Sequence, residues 1–97
     1  MAILCCIDHD QEWVRPCDGK RHGTVDIAIA AEHICLAAAE QGLGSCWICN
    51  FDVAKASESF ALPQHLEPAV LIPIGYSASD GIRAKVRKDM SEIVEVL

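Results

Sequence analysis

The sequence predicts a small α/β (α+β) domain: three short strands, one long buried helix, one short helix and a C-terminal tail that docks on something else. Three observations predict it. Short apolar runs at 2–7, 45–51 and 69–74 are bounded by turn residues, as strands are. The stretch 24–41 is alanine-rich and apolar on two sides at helical spacing. And 52% of the 97 residues are hydrophobic, with a mean hydropathy of +0.23. A chain this short buries only a modest fraction of its surface, so the excess apolar material implies a face meant for another chain. One domain, 1–97, is the expectation, divided into an α/β core over 1–82 and an arm over 83–97.

The elements follow in order. Ala2 to Ile7, AILCCI, reads as a buried strand ending at Asp8. Met1 leads directly into it, so the chain reads as one that starts inside a core element, as a truncated protein would. His9 to Gly23 carries Pro16 and Asp18-Gly19 and reads as a loop, with Trp13 packing back on the core. Thr24 is placed to cap a helix running to Gln41, and Asp26 sits in its first turn, where the helix dipole favours a carboxylate. Ile27, Ala31, Ile34, Cys35 and Ala38 form one apolar stripe; Val25, Ile29 and Leu36 form a second. A helix apolar on so much of its circumference is expected to be buried on several faces. Gly42 stops it in a left-handed conformation. Ser45 to Phe51 reads as a second strand. Asp52 caps a short helix to about Ala61, ended by Leu62-Pro63. Ala69 to Ile74 is a third strand, at an edge or bulged because Pro73 has no N–H. Ser77 to Arg83 is a loop, and Lys85 to Leu97 is a basic-then-apolar tail too short to fold alone.

Composition excludes some functions. Eight Lys/Arg against fourteen Asp/Glu give a net charge of −6, the wrong balance for a diffuse nucleic-acid binder. No run approaches the roughly 20 apolar residues of a membrane span, and the first basic residue is Arg15, so a signal peptide's charged start is lacking. A soluble cytoplasmic protein is the default. The six cysteines are not spaced by turns as in a stapled scaffold, so reduced thiols are expected.

The stretch VDIAIAAEHICLAAAEQGLGSCWICNFD, a short helix, and then LPQHLEPAVLIPIGY resemble the C-terminal half of the nitroreductase family. The tail KVRKDMSEIVEV resembles that family's basic-then-apolar C-terminus. The pattern is an aspartate opening an alanine-rich helix, then GLG, a strand, Phe-Asp, a Leu-Pro helix end and an apolar strand closing in Gly-Tyr. It covers roughly residues 2–97, with 8–23 matching loosely. The resemblance implies a homodimer that binds FMN at the subunit interface and passes hydride from NAD(P)H to nitroaromatics, quinones or similar small-molecule acceptors. It implies that the long helix forms much of the dimer core and that the tail wraps around the partner. The family's arginine-rich N-terminal segment, which grips the FMN phosphate, has no counterpart here. Catalysis would then need the missing half or a partner chain.

The resemblance places Trp47, Ile48, Cys49 and Asn50 beside the flavin ring, where an apolar wall and backbone donors are needed. Read on residues alone, the same segment is an ordinary core strand. Four of the eight Lys/Arg residues, Arg83, Lys85, Arg87 and Lys88, fall within six positions. Lys85 and Arg87 match a basic pair that helps hold the FMN phosphate, work suited to arginine's planar fork; the alternative is a solvated surface run. Cys46-x-x-Cys49 admits a thiol-redox or zinc reading, but the segment follows a helix end instead of starting one, and on a strand the two positions face opposite ways. His9, His22, His33 and His65 show no paired ligand spacing, so no metal site is expected. Gly42-Leu43-Gly44 follows a helix, whose negative dipole end repels phosphate. Asp8-His9-Asp10 and Glu32-His33 lack a nucleophile. Three functions therefore stand at this point: an FMN oxidoreductase, an α/β dimerisation module that has lost its flavin, and a small thiol-redox or zinc protein.

Overall fold

The computed structural model describes residues 1–78 and 84–97. Arg83 and most of the expected 77–83 loop lie outside the described residues. The elements are β1 (Ala2–Asp8), α1 (Gly23–Glu40), β2 (Gly44–Ser45), α2 (Val53–Ser59), β3 (Leu66–Gly75) and α3 (Met90–Ile93). The strands form one antiparallel sheet in the order β1-β3-β2.

The third apolar run is longer than expected and lies in the middle of the sheet instead of at an edge. Its alternation sends Val70, Ile72 and Ile74 to one face, where α1 covers them. Cys5 of β1 and Ala31 and Ala38 of α1 complete the core, with Ile3, Ile27, Ile34, Cys35 and Leu43 packed around it. Ile72 and Ala31 are wholly inaccessible. The two alanines present only methyl groups to the sheet, so the helix lies close against it.

Prolines in a central strand must place their missing donors where the ladder tolerates it. Leu71 N–H donates towards the β2 side, to Ile48 O, and Ile74 N–H towards the β1 side, to Met1 O. Pro73, two residues from Leu71, therefore faces the β2 side. Pro68 adjoins a bulge: Cys5 pairs with Val70 but Cys6 pairs with Pro68, leaving Ala69 as the extra residue. The expected irregularity is thus real, but the bulge falls at Pro68-Ala69.

α1 does not begin on a Thr24 cap. His22 is the residue before the helix and gives no side-chain cap; the first N–H, that of Gly23, donates to Glu12 Oε2 at 3.0 Å from the preceding loop. Glu12 also accepts from Arg21 Nη1 and contacts His9 Nδ1, both at 2.6 Å. Its side chain is 3% exposed, so a distant carboxylate does the work predicted for a local hydroxyl. Glycine is required at 23: a Cβ there would lie 2.4 Å from Ile7 Cγ2 and 2.7 Å from Glu12 Oε2. At the other end Gly42, at φ +70°, closes the helix as expected. Gly42 N–H donates to Ala39 O and Leu43 N–H to Ala38 O, the paired bonds of a Schellman turn, with Leu43 folding onto the core.

α2 is capped as predicted, with Asp52 Oδ1 accepting from Lys55 N–H at 3.0 Å. Trp13 does not pack on the core: it is 55% exposed and its ring lies against His22, centroids 4.8 Å apart. α1 is buried along one face only. Val25, Ile29 and Leu36 are 49%, 55% and 57% exposed, so the second stripe is uncovered in the single chain. The arm is exposed throughout 84–97, and α3, a single turn closed by an Asp89/Glu92 capping box, touches no other element among the described residues. The chain exposes 7879 Å², against about 5,400 Å² for a compact monomer of its mass.

Two predictions follow from the α1 anchor. Gly23→Ala lowers the unfolding free energy by about 1–3 kcal/mol through overpacking, although alanine has the better helix propensity by about 1 kcal/mol; the denaturant midpoint checks it. The Glu12 carboxyl is held down to about 2, first by the His9 hydrogen bond and then by Arg21. A depressed carboxylate stabilises the fold above its unfolded value and ceases to do so as pH falls through its folded value. Stability therefore declines between about pH 4.5 and pH 2, and Glu12→Gln flattens that decline in denaturation curves measured across this range.

Candidate functional site

The 44–51 segment forms the second edge of the sheet, and it is a broken strand, not the continuous one predicted. Its register is constant: Gly44 opposite Gly75, Ser45 opposite Ile74, Ile48 opposite Leu71. Ile48 and Leu71 exchange both backbone bonds, at 3.0 and 2.9 Å. Cys46 N–H donates to Pro73 O at 3.2 Å, but Pro73 has no N–H to return. That missing bond divides the strand in two. Phe51 N–H turns back to Cys49 O, and the chain enters α2.

The result is a short exposed ledge. Ile48 is half-buried against the sheet, while Cys49 and Asn50 are exposed and Trp47 is 38% exposed. Trp47 and Cys49 share a face, and the indole Nε1–H donates to Cys49 Sγ at 3.1 Å. The N–H groups of Trp47, Cys49 and Asn50 make no hydrogen bond among the described residues. The ledge thus combines an apolar wall with unpaired backbone donors.

Of the residues singled out in the sequence, 47–50 come together. Lys85 and Arg87 do not join them: both are exposed on the arm, and Arg87 Nη1 donates only to the neighbouring Val86 O. A second surface lies on α1, where Thr24, Val25, Ala28, Ile29, His33 and Leu36 line a shallow, largely apolar groove of about 530 Å³. Among the described residues no helix is long and apolar enough to cross a membrane.

The six thiols are free. Cys5 is buried, and burial first and nearby Cys35 second push its pKa up. Cys6 is raised by burial and then by Cys5. Cys17, Cys46 and Cys49 are exposed.

Comparison with known proteins decides the family. The nitroreductase family model matches residues 2–76. The chain belongs to the nitroreductase family.

A curated protein of Methanothermobacter thermautotrophicus, provisionally named an NADH dehydrogenase/NAD(P)H nitroreductase, is 32% identical to this nitroreductase chain over 89 residues. The match covers 82% of the chain and 41% of that protein. The crystal structure of a nitroreductase family protein from Clostridium difficile superimposes with a TM-score of 0.88 at 40% identity, over 97% of this chain and 57% of the other. A Bacteroides thetaiotaomicron structure superimposes with a TM-score of 0.78 at 26% identity, over 97% and 53%. The chain thus spans about half the length of the relatives it matches. The matched region includes the 47–50 ledge and stops before Lys85 and Arg87.

The residue that sequence reasoning missed is Glu12. Its partners lie three, nine and eleven positions away in a loop, so no local spacing announces it. In site-resolved thiol labelling of the native chain, Cys17, Cys46 and Cys49 react first and Cys5 reacts only on unfolding. Mass spectrometry of the modified peptides checks this, and early labelling of Cys5 contradicts the β1–α1 packing described above.

Proposed function

We propose that this nitroreductase-family chain works as the C-terminal half of a homodimeric, FMN-dependent oxidoreductase, passing hydride from NAD(P)H to nitroaromatic, quinone or similar small acceptors. The observation that carries the reading is the 47–50 ledge within the matched family region. FMN, when bound, supplies the hydride chemistry. The chain's own part is to hold it. Trp47, with Cys49 beside it on the same face, offers an apolar surface to a planar ring while Ile48 fixes the segment to the sheet, and the free N–H groups of Cys49 and Asn50 offer donors to the ring's electron-accepting edge. These residues fit such a group, whereas the ledge by itself is too open to enclose one.

In this reading the rest of the enclosure comes from a second copy of the chain. The uncovered stripe of Val25, Ile29 and Leu36 supports burial of α1 against a partner subunit. The exposed arm carries Val86, Met90, Ile93 and Val96 as further apolar contacts. In this reading the arm crosses to the partner and brings Lys85 and Arg87 to the FMN phosphate, where a charge-assisted contact strengthens binding.

FMN titration followed by flavin fluorescence, with light scattering for mass, tests the proposal. The expected results are a dimer that quenches FMN fluorescence and oxidises NAD(P)H with an added quinone. Arg87→Ala is expected to weaken FMN binding about tenfold, the loss of one charge-assisted contact. Ile29→Glu is expected to shift the mass towards the monomer. A dimer that binds no FMN supports instead an α/β dimerisation module without flavin.

A further inference from the structure

His9 stands between two carboxylates from different parts of the chain. Its Nδ1 lies 2.6 Å from Glu12 Oε1 and its Nε2 lies 2.8 Å from Glu67 Oε2. Glu12 belongs to the β1–α1 loop and Glu67 to the central strand, 58 positions along the chain from His9. A carboxylate only accepts hydrogen bonds, whereas a neutral imidazole carries one N–H. The ring can therefore serve both partners only as imidazolium.

The two carboxylates are not equivalent. Glu12 is 3% exposed and retains Arg21 and the Gly23 N–H whatever His9 does. Glu67 is 50% exposed and free to turn into water. We propose that His9 is a pH-operated latch: charged, it ties the β1–α1 loop to β3 through Glu67; neutral, it keeps Glu12 and lets Glu67 go. The loop so tied rims a cavity of about 210 Å³ between β1 and α1, lined by Cys6, Ile7, Gln11, Glu12, Gly23 and Asp26.

Asp8, Asp10 and His65 cluster beside this corner and Arg21 Nη1 donates to His9 O at 3.4 Å, but only Glu12 and Glu67 raise the ring's affinity for its proton. The His9 N–H also bonds His65 O at 2.9 Å, so the tie that the side chain makes or breaks acts on the loop beyond residue 9. Hydrogen bonds to Glu12 first and Glu67 second raise the His9 pKa above its ordinary 6.5. A raised histidine stabilises the tied state fully below the unfolded value and ceases to do so as pH rises through the folded one. The latch thus opens as pH rises through the raised His9 value and is fully shut below 6.5. It is independent of cofactor binding and of the oxidoreductase reading.

The test is an NMR titration of the His9 ring and of the backbone amides of 9–22 and Glu67, in the 97-residue chain and in Glu67→Gln. The expected result is a ring midpoint above 6.5 shared by the loop and Glu67 amides. In Glu67→Gln the midpoint falls back towards 6.5 and the loop amides stop following it. A wild-type midpoint at or below 6.5, or a midpoint unchanged by Glu67→Gln, overturns the latch.

Discussion

The rest of the structure depends on the contact between the start of α1 and the end of β1. Helix and sheet meet where Gly23 passes Ile7 too closely for any side chain, and Glu12 accepts the first helical N–H at the same spot. That pairing fixes where the helix begins. The Schellman turn at Gly42 fixes where it ends and sends Leu43 back to the core. With both ends set, Ala31 and Ala38 fall over Val70, Ile72 and Ile74, and the chain leaves the helix in line with the edge of β3. The ledge at 47–50 is positioned by these constraints together with the Ile48–Leu71 backbone pair.

Much of this was legible in the sequence, because the signals were local. The helix stop at Gly42, the Asp52 cap and the inward stripe from Ile27 to Ala38 each rest on residues within a few positions of one another. The second stripe was also legible as apolar, but the burial on several faces expected from it is not found in the single chain, where Val25, Ile29 and Leu36 are exposed. Non-local features were missed. Thr24 is a plausible cap by spacing, yet a carboxylate eleven positions earlier took the N–H. Trp13 promised core packing by its size, but found a histidine ring across a short hairpin instead. The third strand was read as at an edge or bulged because of Pro73; in the sheet it is central, its bulge lies at Pro68-Ala69, and Pro73 faces β2, which is cut short.

The family match and the geometry inform different parts of the functional reading. The match covers the helix, the ledge and the central strand, which are the elements whose shape the structure explains. The exposed stripe and the detached arm explain why the chain shows far more surface than a compact body of its mass.

The missing N–H of Pro73 also makes the two margins of the sheet unlike. The β1 margin is seven residues long and apolar up to Asp8, and the bulge in its pairing lies in β3. The 44–50 margin is interrupted within three residues of its start, so it offers an incoming strand no regular ladder to extend. Edge-to-edge accretion, the hazard of any open sheet, is therefore discouraged on the flank that carries the ledge and left to be guarded by other means on the opposite one.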